Sequence, residues 1–144
     1  MFKKLNISVK IILVIQAICM LIGTSTHLLW VIKHGFTYVD LNPHIAIYST
    51  IFWNSLTFLD PLAAILLFVK PKAGVLLTAT IIIVDVLHNA WVSNQVLPFA
   101  QTTLHQWLFE NQFLILQSIF CIFVLSTLKM NLGEIKAKFE NEGI

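Results

Sequence analysis

The chain has 144 residues, of which 58% are hydrophobic and only 11% are charged, and its mean hydropathy is +0.84. Soluble domains carry about 25% charged residues, so this composition excludes a soluble globular protein and predicts a small integral membrane protein with one compact domain. The net charge of +2 comes from short lysine runs beside the apolar segments, which argues against nucleic-acid binding.

Four apolar segments follow one another, and each is long enough to cross a bilayer as a helix. They cover about residues 11–32, 45–69, 73–97 and 107–128. The strand alternation of a membrane barrel is absent from the sequence. We therefore predict an all-α, four-helix membrane bundle over residues 1–130 and a short cytoplasmic tail over 131–144. The tail is expected to be a short amphipathic helix or a frayed end on the cytoplasmic surface. The first apolar run is too long for a usual signal peptide, so an uncleaved first span is expected.

Turn and cap residues predict where the helices begin. Asn42-Pro43 is typical of an N-cap followed by proline at the first helical position, and Pro71 is expected to open the third helix. Thr103 and Gln106 fit a capping box at the start of the fourth helix. The connection between the second and third segments is only a few residues long, so these helices must be antiparallel neighbours.

The basic residues predict the orientation of the bundle. All nine are lysines, and eight of them lie beside the N-terminus, the second connection or the end of the fourth segment. Only Lys33 lies on the opposite side. This asymmetry follows the positive-inside rule and predicts that both termini face the cytoplasm, in a plasma membrane such as the bacterial inner membrane. All histidines and tryptophans then belong to the outer half of the bundle.

Two aspartates lie within apolar segments that contain no lysine or arginine. Asp60 belongs to the second segment and Asp85 to the third. A lone carboxylate at bilayer depth costs about 2.5–3.5 kcal/mol, so each must be paired, protonated or solvated inside the bundle. Pro61 follows Asp60 and removes a helix hydrogen bond, which favours a kink beside a cavity.

Polar residues at helical spacing mark one face of each segment, and these faces are expected to turn toward one another. The convergence predicts one internal pocket in the outer half, where a small or lipid-like ligand binds. The predicted ligand-binding residues are Asp85, His88, Asn89, Asp60, Asn54, Trp53 and His27.

A second hypothesis gives the pocket a catalytic role. Asp85 and His88, three residues apart on one helix, are suitable for acid/base chemistry on a lipid-like substrate, although they would serve equally as a structural hydrogen-bond pair. Four spans in about 140 residues, with buried carboxylate, histidine, asparagine and tryptophan, resemble the EXPERA-domain proteins, the emopamil-binding sterol isomerases and their relatives. The resemblance, which is one of layout and residue type, implies an intramembrane isomerase. Those proteins tend to use buried glutamates where this chain has aspartates.

Two further alternatives remain open. His27 and His88, expected at matching depth on different helices, are candidate metal ligands and could hold one b-type haem between them. A transition metal could bind instead to the outer residues His34, His44, His105, Asp40 and Glu110. The chain could also be a structural subunit that presents its polar faces to a partner or to a second copy of itself. The sequence alone names neither the ligand nor a reaction.

Overall fold

A computed structural model describes residues 2–36 and 47–139 of the chain. Every regular element in these residues is a helix, and they contain no strand, which confirms the all-α prediction. Two short 3-10 turns, Phe2–Lys4 and Phe99–Gln101, accompany five α-helices. The α-helices are α1 (Ile7–His34), α2 (Ile47–Val69), α3 (Pro71–Val96), α4 (Leu104–Glu110) and α5 (Gln112–Phe139).

Four of the helical segments are long and apolar enough to cross a membrane, as the sequence predicted. They are Ile7–His34, Ile47–Val69, Pro71–Gln101 and Gln112–Lys138. Their outward faces carry large apolar side chains such as Ile22, Phe113 and Ile122, each more than 60% exposed. Such surfaces are rare on soluble proteins and suit contact with lipid chains.

The helix boundaries differ from the prediction at the fourth span. Thr103 is an N-cap, since its hydroxyl accepts a hydrogen bond from the Gln106 backbone N–H at 3.3 Å. The helix that it begins is α4, a separate helix of seven residues, and the fourth span begins only at Gln112. The chain breaks at Asn111, whose side-chain amide donates to the Trp107 carbonyl at 3.0 Å. The predicted Asn42-Pro43 cap lies outside the described residues.

The fourth long helix also continues past residue 130, where the sequence suggested that the tail begins. α5 extends through Phe139, and Asn131 and Ile135 on it are buried. Ile135 packs in the main apolar core together with residues of the N-terminal segment such as Leu5 and Val9. This packing explains the extension, because a helix is stabilised chiefly by burial of its apolar face.

The helices pack in the order α1, α2, α3, α5, and α1 and α5 also touch. Pro71 opens α3 directly after Lys70, so α2 and α3 form the predicted antiparallel pair. We call the end of the bundle that carries Lys70, Lys72 and Lys136 the lysine end. The opposite end, which carries Trp30 and Trp107, is the tryptophan end.

The start of α1 is fixed by a side-chain cap. The Asn6 side-chain oxygen accepts from the Val9 backbone N–H at 3.0 Å, and the Asn6 backbone N–H donates to Glu134 of α5 at 3.2 Å. We expect Asn6→Ala to lower the free energy of unfolding by about 1 kcal/mol, because it exposes a helix N–H that the side chain now satisfies. An SDS unfolding titration measures this change.

Ser25→Ala is the control for this substitution. The Ser25 hydroxyl is exposed and donates to the Leu21 carbonyl within its own helix, so its loss is expected to leave the unfolding midpoint nearly unchanged. Equal midpoints for the two variants would contradict a stabilising role of the Asn6 cap.

Candidate functional site

A cavity of about 570 Å³ lies at the tryptophan end of the bundle, and side chains from all five α-helices line it. Its walls are largely apolar, formed by Trp30, Val92, Val96, Phe113 and Leu114. A volume of this size lies within the range of small-molecule sites, which typically measure about 300–1,000 Å³. Polar side chains line the cavity at both of its ends. Asn54, Asn89 and Gln117 lie nearer the lysine end, and Gln106 and Glu110 of α4 lie nearer the tryptophan end.

Asn89 is the central polar residue of the cavity. Its side-chain oxygen accepts from the Trp53 indole N–H at 2.8 Å. Its side-chain amide donates to the Asp85 carboxylate at 2.8 Å and to the Gln117 side-chain oxygen at 3.0 Å. One amide therefore joins α2, α3 and α5. Since every partner lies at normal hydrogen-bond distance, the network fixes the spacing of these three helices around the cavity.

Asp60 lies against α1, close to Gly23 and His27. One carboxylate oxygen is 4.0 Å from the His27 ring nitrogen Nε2, and a Cβ atom placed on Gly23 would be 2.9 Å from the same oxygen. Glycine at position 23 thus permits an approach that any side chain would hinder. Asp60 is only 4% exposed, so the protein shields it from lipid.

Asp85 is equally shielded, with 5% of its surface exposed. None of the described lysines is buried, so no buried lysine pairs with either carboxylate. Each of the two aspartates contacts a residue that lines the cavity: Asp85 accepts a hydrogen bond from Asn89, and Asp60 lies 4.0 Å from His27.

His88 occupies a different environment from the other predicted site residues. Its ring packs against Phe52 at 4.7 Å and Trp53 at 5.6 Å between ring centroids, and Tyr48 and Trp91 lie about 6 Å away. It does not line the cavity. Its Nε2 atom is buried and has no hydrogen-bond partner within the described part of the chain.

The structure thus divides the seven predicted ligand-binding residues among three places. Four of them line the cavity: His27, Trp53, Asn54 and Asn89. Asp60 and Asp85 do not line the cavity but contact residues that do, and His88 packs among the aromatic rings of Phe52 and Trp53. The hydrogen bond of Asp85 goes to Asn89 rather than to His88. His27 and His88 do not face each other across the cavity, which is the arrangement that a shared haem would need.

Two polar lining residues, Ser93 and Asn111, had not been predicted from the sequence. Ser93 donates a short hydrogen bond to the side-chain oxygen of Asn111, and this contact ties α3 to the junction of α4 and α5. Ser93 follows Asn89 by four residues and so shares its helix face, a signal that the spacing contained. Asn111 gave no such signal, because it lies inside the apolar segment that predicted one uninterrupted span.

The outer histidines do not form a metal centre within residues 2–36 and 47–139. No three histidine, cysteine, aspartate or glutamate side chains converge there as metal ligands would. The His34 ring packs against Trp30 in a tilted arrangement with 4.2 Å between centroids, and Glu110 lines the cavity. His44 and Asp40, which the sequence suggested as further ligands, lie outside the described residues.

No family model, no curated protein and no solved structure matches this chain. The resemblance to EXPERA-domain proteins therefore stays a prediction from layout and residue type. The function of this chain has to be argued from the cavity and the polar groups around it.

Proposed function

We propose that this chain is a membrane protein that binds a small amphipathic, lipid-like molecule in the cavity at the tryptophan end. The observation that carries the proposal is one cavity of about 570 Å³ whose lining combines polar side chains from all five α-helices with largely apolar walls. A site of this kind orients a ligand with a polar head and an apolar body.

The amide groups nearer the lysine end suit an uncharged head group that both donates and accepts hydrogen bonds. Asn89, Gln117 and Asn54 place amide groups at the cavity surface, and His27 adds a ring nitrogen. A ligand hydroxyl or carbonyl there would be held by several weak contacts. The apolar body would lie against Val92, which is buried, and along the neighbouring walls.

The position of the exposed lining residues supports access from the bilayer. Trp30 on α1 and Phe113 on α5 line the cavity, yet they are 42% and 64% exposed. Hydrogen bonds join the α1 and α5 segments nearer the lysine end, from Gln16 to Thr127 and from Asn6 to Glu134. We therefore place the opening between α1 and the start of α5, where a lipid-like molecule would approach sideways.

Orientation in the membrane follows from the lysine distribution. The lysine end would face the cytoplasm under the positive-inside rule. The cavity would then lie within the outer leaflet, and both termini would be cytoplasmic. This orientation is part of the proposal, and labelling of single cysteines at the two ends by a membrane-impermeant reagent would test it.

A brominated alcohol provides a direct test of binding. In a variant with Trp91→Phe and Trp107→Phe, the remaining tryptophans, Trp30 and Trp53, both line the cavity. We expect 2-bromododecan-1-ol to quench their fluorescence in a saturable way, because a hydroxyl held near Asn89 brings the bromine atom close to the Trp53 indole. Filling the cavity with Val92→Phe is expected to remove the saturable part.

Val84→Phe is the matched control. Val84 lies on the same helix but is 44% exposed and does not line the cavity, so saturable quenching should persist in this variant. Linear, non-saturable quenching in the parent protein, or equal saturable quenching in Val92→Phe, would contradict binding in this cavity.

A further inference from the structure

Unpartnered polar atoms continue from the cavity toward the lysine end of the bundle. Side-chain atoms of Thr57, Asp60, Thr78, Gln16 and Asn131 are buried without a hydrogen-bond partner among the described residues. Each of these residues is at most 8% exposed, and Thr78, Gln16 and Asn131 are fully buried. Together with Asp85 they are called the polar ladder below. Buried polar groups are almost always satisfied, so each such atom requires an explanation.

The hydrogen bond between Asn89 and Gln117 sets the levels of α3 and α5 relative to each other. Moving toward the lysine end, Thr78 is 11 residues from Asn89, and Thr127 is 10 residues from Gln117. At 1.5 Å per residue these positions lie about 16 Å and 15 Å away, at the same depth. Gln16 of α1 donates to the Thr127 hydroxyl at 3.4 Å. Three helices therefore contribute polar groups to one layer.

The two aspartates lie between this layer and the cavity. Asp85 and Thr78 are seven residues apart, or two helical turns, and so share one face of α3. Asp60 lies ten residues before Lys70, the residue that joins α2 to α3. Because α2 and α3 are antiparallel and joined at Lys70, Asp60 lies at the same depth as the tenth residue after Lys70. This depth is between those of Asp85 and Thr78. Thr57 lies one turn from Asp60, toward the cavity.

Asn131 and Glu134 extend the series to the lysine end. Asn131 is four residues beyond Thr127 on α5, about 6 Å deeper. Glu134 follows three residues later on the same face, and its carboxylate accepts the Asn6 backbone N–H where that surface is exposed. Measured as depth along the bundle axis, successive polar groups thus lie within about one helical turn of one another from the cavity to the lysine end.

Bound water is the physical partner that fits these atoms. A buried water usually makes two to four hydrogen bonds to polar groups that would otherwise be unsatisfied. Carboxylates that are buried at membrane depth commonly mark proton relays. Here two carboxylates lie at depths between those of buried hydroxyl and amide groups, and none of the described lysines is buried to hold them as fixed ion pairs.

We propose that Asp85, Asp60 and the rest of the polar ladder conduct protons, through bound water, between the cavity and the lysine end. A proton enters by forming an O–H bond with a carboxylate or water at one end, and each hop forms one O–H bond as another breaks. One proton leaves at the opposite end, so neither oxidant nor reductant is required. The threonine hydroxyls can both accept and donate a proton, whereas the Gln16 and Asn131 amides hold water in place.

Proton flux into sealed vesicles tests this proposal. The full chain would be reconstituted into phosphatidylcholine vesicles that contain a pH-sensitive dye, and a potassium gradient with valinomycin would supply the driving voltage. We expect the wild-type protein to acidify or alkalinise the lumen faster than protein-free vesicles, in the direction set by the voltage. Thr78→Val and Asp60→Asn are each expected to reduce the protein-dependent rate by about tenfold or more, because each interrupts one hydrogen-bonded step.

Thr80→Val is the matched control for Thr78→Val. Thr80 is exposed on the same helix, and its hydroxyl donates to the Leu76 carbonyl at 3.0 Å, so its removal should leave the flux unchanged. Thr78→Val conserves side-chain volume and removes a hydroxyl that has no hydrogen-bond partner among the described residues, so its melting temperature is expected to be close to that of the wild type. Asn131→Leu provides a second interruption at another level.

The outcomes separate a proton path from structural water. Loss of flux in Thr78→Val and Asn131→Leu, with the melting temperature and the Thr80→Val flux preserved, supports conduction through the polar ladder. Wild-type vesicles as tight as protein-free vesicles would overturn it. Undiminished flux in folded Thr78→Val and Asn131→Leu would overturn it as well, and the buried groups would then be structural only.

Discussion

Replacing Gly74 by alanine is expected to lower the free energy of unfolding by about 3 kcal/mol or to prevent assembly of the bundle. Gly74 lies in the first turn of α3, and a Cβ atom there would collide with the backbone of Leu66 and Leu67 in α2. Alanine favours a helix over glycine by up to about 1 kcal/mol. The steric cost is expected to exceed this gain because the colliding atoms belong to the main chain and cannot rotate away.

The connection between α2 and α3 prevents an easy relaxation at this position. Only Lys70 separates Val69 from Pro71, so the two helices cannot move apart without breaking the turn. Pro71 is buried at the same place and fixes the entry angle of α3. The unfolding midpoint in an SDS titration measures the effect.

Gly133→Ala is the control for helix propensity. Gly133 lies within α5, and a Cβ atom there meets no other atom within 4 Å. This substitution is therefore expected to keep or raise stability by up to about 1 kcal/mol. Equal stability of Gly74→Ala and the wild type would show that the α2 backbone moves to accommodate the methyl group, contrary to the argument from the short turn.

The same close approach shows what the sequence can and cannot predict. The short connection, with Pro71 after Lys70, correctly predicted an antiparallel helix pair, because chain length alone permits no other arrangement. A lone glycine such as Gly74 or Gly23 gives no comparable signal. Its role depends on which backbone or side chain lies opposite, and that is decided by packing between helices distant in sequence.

The fourth span illustrates the limit of local signals. The Thr103 cap was recognised because an N-cap depends only on residues three positions apart. At the break, Asn111 accepts a hydrogen bond from Ser93, which lies 18 residues earlier on another helix. Local patterns therefore predicted where a helix begins but not that the helix ends after seven residues.

Helical spacing alone also could not predict whether His88 lines the cavity or packs against aromatic rings. Successive residues on a helix are turned by about 100°, so Asn89 lies about 40° from Asp85 and His88 about 60° to the other side. Both positions fit an inward polar stripe. The aromatic rings of Phe52 and Trp53 pack with His88, while Asn89 meets the polar face of α5. A turn of about 100° around the helix thus separates the aromatic contact of His88 from the cavity position of Asn89.

Asn89→Leu is expected to destabilise the bundle by about 2–4 kcal/mol. The substitution leaves three groups without their present partner: the Trp53 indole N–H, one Asp85 oxygen and the Gln117 side-chain oxygen. Each unsatisfied buried group costs about 1–3 kcal/mol in proteins. Hydrogen bonds between membrane helices average only about 0.6 kcal/mol, because the separated helices find other partners. The expected total lies between these limits, since part of the network borders the cavity.

Asn94→Leu makes the same chemical change five residues later on α3, where the side chain is exposed, and it is expected to leave stability within about 0.5 kcal/mol of the wild type. The two variants would be compared in one SDS unfolding titration and in the bromoalcohol quenching assay. Asn89→Leu should lose saturable quenching together with stability, because the amide that joins α2, α3 and α5 is also a surface of the cavity. Matching midpoints for the two variants would mean that the Asn89 hydrogen bonds contribute nothing to holding the helices around the cavity. Retained saturable quenching in a folded Asn89→Leu protein would instead place the ligand head group elsewhere in the cavity.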